Sequence, residues 1–182
     1  MEKKSEVSKA YDKTAKSYDR RYYRIQLAKY DFLLSNTRLN SDDFILDAGC
    51  GTGLFMKRIG HIVNRIIGID VSERMLRIAT NRVCGGIFVL ADVDSLPFRS
   101  QLFSKVFSIT LLQNVPNQLG SLRELVRSIR NDGFLIVTTL RKKMSVKELR
   151  RLLQELRLDG IRAGEIPGSE DIWGIGATLS TS

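Results

Sequence analysis

The sequence predicts an α/β fold: a doubly wound, mostly parallel sheet, preceded by helices and closed by a C-terminal hairpin that puts an antiparallel strand at its edge. Three observations predict it. Short apolar runs alternate with amphipathic helical stretches through most of the 182 residues. The first run, Ile45-Leu46-Asp47, passes straight into a glycine cluster, as a strand does when a tight turn carries it into a helix. The later runs are continuously apolar rather than alternating, as in strands covered on both faces.

Each element has its own signal. The first forty residues hold no glycine or proline and are rich in Ala, Lys and Tyr, which predicts one or two helices. They form an N-terminal helical segment, 1–40, ahead of a core over 41–182 within one domain. Phe44 to Asp47 is the first strand and Leu54 to Ile59 the helix after it. Arg65 to Asp70 is the second strand; Ser72 then caps a helix whose Met75, Leu76 and Ala79 make an apolar stripe. Ile87 to Leu90 and Val106 to Leu112 are the third and fourth strands. Ser121 with Glu124, and Ser145 with Glu148, have the spacing of capping boxes and open two further helices. The first carries Leu122, Leu125, Val126 and Ile129, and Asn131-Asp132-Gly133 turns from it into the strand Phe134 to Leu140. The second helix ends at Asp159-Gly160, with Gly160 as its C-cap. Ile161 to Ile166 and Ile172 to Leu179 complete a set of seven strands, joined by a turn at Pro167-Gly168.

Composition removes several classes of function. With 43% hydrophobic residues the chain can bury a core, yet no apolar run approaches the roughly 20 residues of a membrane span. The charged N-terminus predicts no secretory leader, and the compartment expected is the cytoplasm. Two distant cysteines, Cys50 and Cys84, and a single histidine, His61, speak against a disulfide framework, a zinc finger and a histidine-pair mechanism, so no metal is expected. The net charge of +9 is uneven: +5 over residues 1–40, +1 over 41–120, +6 over 121–162 and −3 over the last twenty. The basic excess sits on the two flanks, where it suits a polyanion.

The chemistry concentrates in Ile45-Leu-Asp47-Ala-Gly49-Cys-Gly51-Thr-Gly53. Glycines at alternate positions let the backbone turn tightly and approach a ligand that a side chain would block. A dinucleotide fingerprint needs its third glycine where Leu54 stands, and a P-loop needs a G-K-[ST] that is missing. An acid ahead of the glycines, at the carboxyl end of a strand, suits a cationic ligand better than a pyrophosphate. Asp70 ends the second strand, where a carboxylate can accept from ribose hydroxyls or cap a helix. Asp92 follows the third strand and can accept from an exocyclic amine of adenine; Asp94 ranks behind it as a residue that solvates the loop.

In their order and spacing, ILDAGCGTG, IIGIDVS, ADVDSLPF and ITLLQNVPN resemble the class I methyltransferases that use S-adenosylmethionine, in particular the small general and ubiquinone-type members. The resemblance runs from about Tyr11 to Leu140. It implies a seven-stranded Rossmann-like sheet. It implies that Asp47 and the Gly49, Cys50, Gly51 and Gly53 loop hold the amino acid end of the cofactor, that Asp70 holds the ribose, and that Val71 packs beside the adenine. Asp92 and the backbone of Val93 would read the adenine edge, and Leu112 and Gln113 would face the methionine part. Tyr11 to Asp19 resembles the lid helix of the family, with Tyr11 or Tyr18 over the cofactor. Cys50 suits packing better than nucleophilic chemistry.

The sequence also departs from the family. Phe103-Ser-Lys105 stands where relatives often place an aspartate. Gln113-Asn114-Val-Pro-Asn117 replaces the Asn/Asp-Pro-Pro-aromatic run of the amino-group enzymes, which argues against an adenine N6 or glutamine acceptor. Gln113 and Asn114 are the candidates to bond the acceptor. The expected activity is methyl transfer from S-adenosylmethionine, leaving S-adenosylhomocysteine, to an acceptor such as RNA or a translation-related protein, with a small activator subunit as a possible partner. A small-molecule acceptor, or a non-catalytic subunit that keeps the fold, are the alternatives.

Overall fold

The computed structural model describes residues 22–180. Helix α1 occupies 22–36, and the order that follows is β1 (Phe44–Ala48), α2 (Leu54–Ile59), β2 (Arg65–Asp70), α3 (Glu73–Arg82), β3 (Ile87–Leu90), β4 (Phe103–Ser108), a 3₁₀ turn (Leu112–Asn114), α4 (Gln118–Ser128), β5 (Ile129–Leu140), α5 (Val146–Glu155), β6 (Asp159–Glu165) and β7 (Asp171–Ala177). Tyr11 and Tyr18, expected in a lid, lie outside the described residues.

The seven strands form one sheet in the order β3-β2-β1-β4-β5-β7-β6. The first five are parallel to one another, and β7 is antiparallel to both β5 and β6. The hairpin therefore supplies the antiparallel edge, with β7 inserted beside β5 and β6 outermost. Successive residues of each central strand go to opposite cores. Leu46, Val106, Leu135 and Val137 meet Leu122 and Leu125 of α4 and Leu149 and Leu153 of α5. Ile45, Phe107 and Ile136 meet Tyr30 and Leu33 of α1 and Phe55 and Ile59 of α2. Burial on both faces is why these runs read as continuously apolar.

Four expectations are corrected. Strand β4 runs Phe103–Ser108 rather than 106–112, because Thr110 takes a left-handed φ of 56° and turns the chain out of the sheet. Lys105 is admitted to this buried strand by an ion pair to Asp43, Nζ to Oδ1 2.5 Å. Ser121 is not a cap: α4 starts earlier, at an Asn117 whose side chain accepts from the Gly120 amide, and the Ser121 hydroxyl bonds Asp94 instead. Ile129 belongs to β5, and residues 131–133 form a bulge in that strand, where the partner of Phe103 is Ile129 but that of Lys105 is Phe134. Helix α5 ends at Glu155 with Arg157 left-handed (φ 56°), while Gly160 sits in a second bulge within β6. The Ser145–Glu148 capping box and the Ser72 cap stand as expected.

Candidate functional site at the carboxyl edge of the sheet

The parallel strands β1, β2, β3 and β4 all end at one edge, and their last residues and the loops beyond them enclose two pockets. The larger, about 770 Å³ counted out to bulk solvent, is lined by Gly49 and Gly51 after β1, Asp70 and Val71 after β2, Ala91, Asp92 and Val93 after β3, and Ile109, Thr110, Leu111, Asn114 and Val115 after β4, with Met75 of α3. The smaller, about 360 Å³, shares Gly49, Gly51 and Ile109 with it and adds Asp47, Cys50, Thr52 and, from α1, Gln26 and Tyr30. The shared residues make the two pockets neighbours, the larger mostly apolar and the smaller more polar.

The glycine loop is shaped for a close approach. Gly49 has φ 78°, and a β-carbon there would come within 3.1 Å of the Leu111 side chain. Gly51 has φ 52°, and a β-carbon there would meet nothing within 4 Å, so it would stand in the open space of the pocket. Gly53 serves packing instead, since it precedes α2 and lies on Ala79 of α3, outside both pocket walls.

Three carboxylates surround the loop. Asp70 accepts from the Gly51 amide on Oδ2 and from the Ser72 amide on Oδ1, both at 2.9 Å, so it braces the glycine loop while lining the larger pocket. Asp92 lines that pocket too and accepts from the Asp94 amide at 3.0 Å. Asp94 turns away to Ser121 of α4, which separates the roles of the two acids. Asp47 is 2% exposed and its Oδ2 has no hydrogen-bond partner. Burial, reinforced by the neighbouring Asp70 carboxylate, pushes the Asp47 carboxyl up to about 8. A buried acid with an idle oxygen beside an open pocket is complementary to a cationic donor. Burial, with Asp47 and Asp70 adding to it, likewise pushes the Cys50 thiol up, and the side chain packs with Met56 and Leu76, as a structural cysteine does.

Not every sequence-predicted residue reaches the wall. Leu112 is fully buried in the core under the 3₁₀ turn, and Leu111 takes the place at the pocket expected for it. Both ends of the Gln113 amide are engaged: Nε2 donates to the Thr110 carbonyl, and Oε1 accepts from the Thr139 hydroxyl at 3.0 Å. Asn114 stays in the wall. His61 is exposed in the loop between α2 and β2. Sequence reasoning missed Thr110, Gln26 and Tyr30. The helical periodicity of α1 carries no sign of which face meets the glycine loop. Among the described residues no three His, Cys, Asp or Glu side chains gather as a metal site, and no helix is long and apolar enough to cross a membrane.

Comparison with known proteins decides the family. Residues 46–137, just over half of the chain, match the family described as a methyltransferase domain, and the stretch contains Asp47, Asp70 and Asp92. The chain belongs to the class I S-adenosylmethionine-dependent methyltransferase family. An uncharacterized protein of Methanocaldococcus jannaschii is 35% identical over 132 residues, which is 72% of this chain and 51% of that protein. The malonyl-[acyl-carrier protein] O-methyltransferase of Buchnera aphidicola is 31% identical over 137 residues, 75% of this chain and 55% of the other. The chain thus spans about half the length of these relatives. The methyltransferase in the Haloferax volcanii complex with the Trm112 methyltransferase activator superposes with a TM-score of 0.80 at 15% identity, covering 93% of this chain and 98% of that one; this likeness is one of fold.

Proposed function

We propose that this chain binds S-adenosylmethionine across the two adjoining pockets and transfers its methyl group to an acceptor that enters along the β4 side. The observation that carries this reading is Asp47: a desolvated carboxyl group with an idle oxygen, in the polar pocket next to Gly49 and Gly51, adjoining an apolar pocket walled by Asp70 and Asp92. A cofactor with an ammonium at one end and an adenosine at the other matches that order of groups. In this reading Asp47 and the glycine loop at Gly49 and Gly51 hold the amino acid end, while Gly53 packs the loop onto α3. Asp70 takes the ribose, Val71 and Val93 flank the adenine, and Asp92 accepts from its amine.

When bound, the cofactor would supply a methyl group on a sulfonium, whose sulfur keeps the electron pair of the broken S–CH3 bond and departs as the neutral thioether of S-adenosylhomocysteine without help from an acid. The protein has then to orient and to exclude water, and positioning of this kind is worth roughly 7 to 11 kcal/mol of barrier in favourable cases. Asn114 is the residue in the wall suited to bond the acceptor, while Gln113 acts from behind by holding Thr110 and the 3₁₀ turn. The placement of Gln26 and Tyr30 in the smaller pocket supports a role for the 1–40 segment as a lid on the 41–182 core. Equilibrium dialysis tests the proposal. One S-adenosylmethionine per chain, displaced by S-adenosylhomocysteine and not by NAD, is the result expected; no binding, or equal displacement by NAD, removes it.

Charge supports a second statement, that the acceptor is carried on RNA or another acidic partner. Arg141, Lys142 and Lys143 are exposed directly after β5, the strand next to β4, at the edge where the pockets open; Arg141 also pairs with Glu165 at 2.8 Å. A small activator subunit is part of this statement, on the fold shared with the Haloferax volcanii protein that has one. Neutralising the three residues together should weaken tRNA binding and flatten its salt dependence by about two to three counterions. Unchanged binding at two salt concentrations removes nucleic acid and leaves a small-molecule acceptor.

A further inference from the structure

The strained point of the pocket wall is Thr110. It is β-branched, yet it takes a left-handed φ of 56°, a conformation that costs on its own and persists only where its surroundings impose it. The surroundings are a buried polar cluster built from four parts of the chain. Its amide donates to the Thr138 hydroxyl at 2.9 Å, and its carbonyl accepts from Gln113. Its hydroxyl donates to Asp171 Oδ1 at 3.1 Å and accepts from Lys29 Nζ. Lys29, on α1, is 2% exposed and pairs with Asp171 Oδ2 at 2.8 Å, at the start of β7. Burial pulls the Lys29 ammonium below its ordinary range, and Asp171 pushes back against that. The residue next to Thr110 is Leu111, whose side chain lies against the place where Gly49 would carry a β-carbon.

We propose that Lys29 and Asp171 are positioning residues: they clamp Thr110 in its left-handed conformation, and through it set Leu111 against Gly49, which fixes the glycine loop for its ligand. This rests on the reading of the cleft as a cofactor site. Neither side chain lines the pocket, so the effect passes through the backbone of Thr110 rather than by contact with the ligand. The pair also ties α1 to the sheet. The helix that lends Gln26 and Tyr30 to the smaller pocket is therefore fastened by the same ammonium that shapes the larger one.

The test uses the full chain and calorimetric titration with S-adenosylhomocysteine. A variant with one charge removed leaves the other buried and unpaired and can fail to fold, so the pair is removed together as Lys29→Met with Asp171→Leu, an exchange that buried ion pairs often tolerate. This double variant should melt close to the wild type, yet bind about tenfold more weakly. In a Thr110→Gly background, where the left-handed backbone needs no clamp, removing the pair should cost only about twofold, a coupling that a purely structural pair does not show. Trp173, the single tryptophan, packs edge-on against Phe32 of α1 at 5.5 Å and reports by its emission whether α1 stays docked. An equal loss in both backgrounds, or unchanged affinity in the double variant, overturns the clamp. Absence of binding to the wild type overturns the cofactor reading beneath it, which is a different result.

Discussion

Two aspartates four residues apart, one just before β1 and one within it, have opposite surroundings. Asp43, at the amino edge, has every oxygen engaged: Oδ1 accepts from Lys105 at 2.5 Å and from Ser104 at 2.8 Å, and Oδ2 accepts from the Asn40 amide at 2.8 Å. Burial pushes its carboxyl up, and those bonds together outweigh it and hold it below its ordinary value. Asp47, at the carboxyl edge, is as inaccessible to solvent but lies deeper, keeps an idle oxygen, and is pushed up to about 8. Both are shielded from water; Asp47 lies deeper and lacks the partner that Asp43 has. At the amino edge the protein supplies it, and the pair serves the fold. At the carboxyl edge none is supplied, and the cofactor reading leaves that place to the ligand: the strand stores an unfavourable group beside the pocket.

The largest effect that would test this contrast is at the amino edge. Lys105→Met leaves the Asp43 charge buried without its partner and should cost about 3 to 5 kcal/mol of stability in urea unfolding. The affinity of the folded protein for S-adenosylhomocysteine should stay the same. A loss of affinity would mean that the two edges are not separate. Asp70→Ala gives the reverse pattern: calorimetry should show affinity weakened by about 1.5 to 3 kcal/mol, as for bonds to a charged acceptor, with a smaller effect on the fold.

The pH dependence has a definite sign. Asp47 binds its proton more tightly folded than unfolded, so its contribution is fully present below its unfolded value of about 4 and falls as the pH rises to the folded value. That window closes at about 8. Asp43 has the lowered value, so its contribution is present above about 4 and is lost as the pH falls through the folded value. Urea midpoints between pH 5 and 8 should flatten in Asp47→Asn and not in Asp43→Asn, by at most about 1.4 kcal/mol per pH unit. Affinity for S-adenosylmethionine should rise with pH over the same interval, because an ammonium bound at Asp47 displaces the proton. A flat profile in the wild type contradicts the assignment.

The two flanks of β1 also differ in how much of them could be read from sequence. Asp47, Asp70 and Asp92 each follow an apolar run, and the strands carry them to one edge whatever the rest of the chain does. The β4 flank depends on contacts across the chain. Thr110 is left-handed because Lys29 and Asp171, 81 and 61 positions away, hold its hydroxyl, and no local pattern announces that. The same limit explains the misplaced ends of β4 and α4: Val106 to Leu112 is one apolar run, and the turn that divides it is imposed from outside. The Ser145 box was legible because all its bonds lie within four residues, while the matching letters at Ser121 were outcompeted by Asn117 and Asp94.

The most direct measurement is a calorimetric titration of S-adenosylhomocysteine into wild type and Gly51→Val side by side, with circular dichroism on both. At φ 52° the valine is strained by about 1 to 2 kcal/mol, which the domain should survive, and its side chain enters space that only a ligand would otherwise fill. One site per chain in the wild type and none in the folded variant is the predicted result. Equal binding by the two proteins, or none by the wild type, would contradict the placement of the cofactor at this edge.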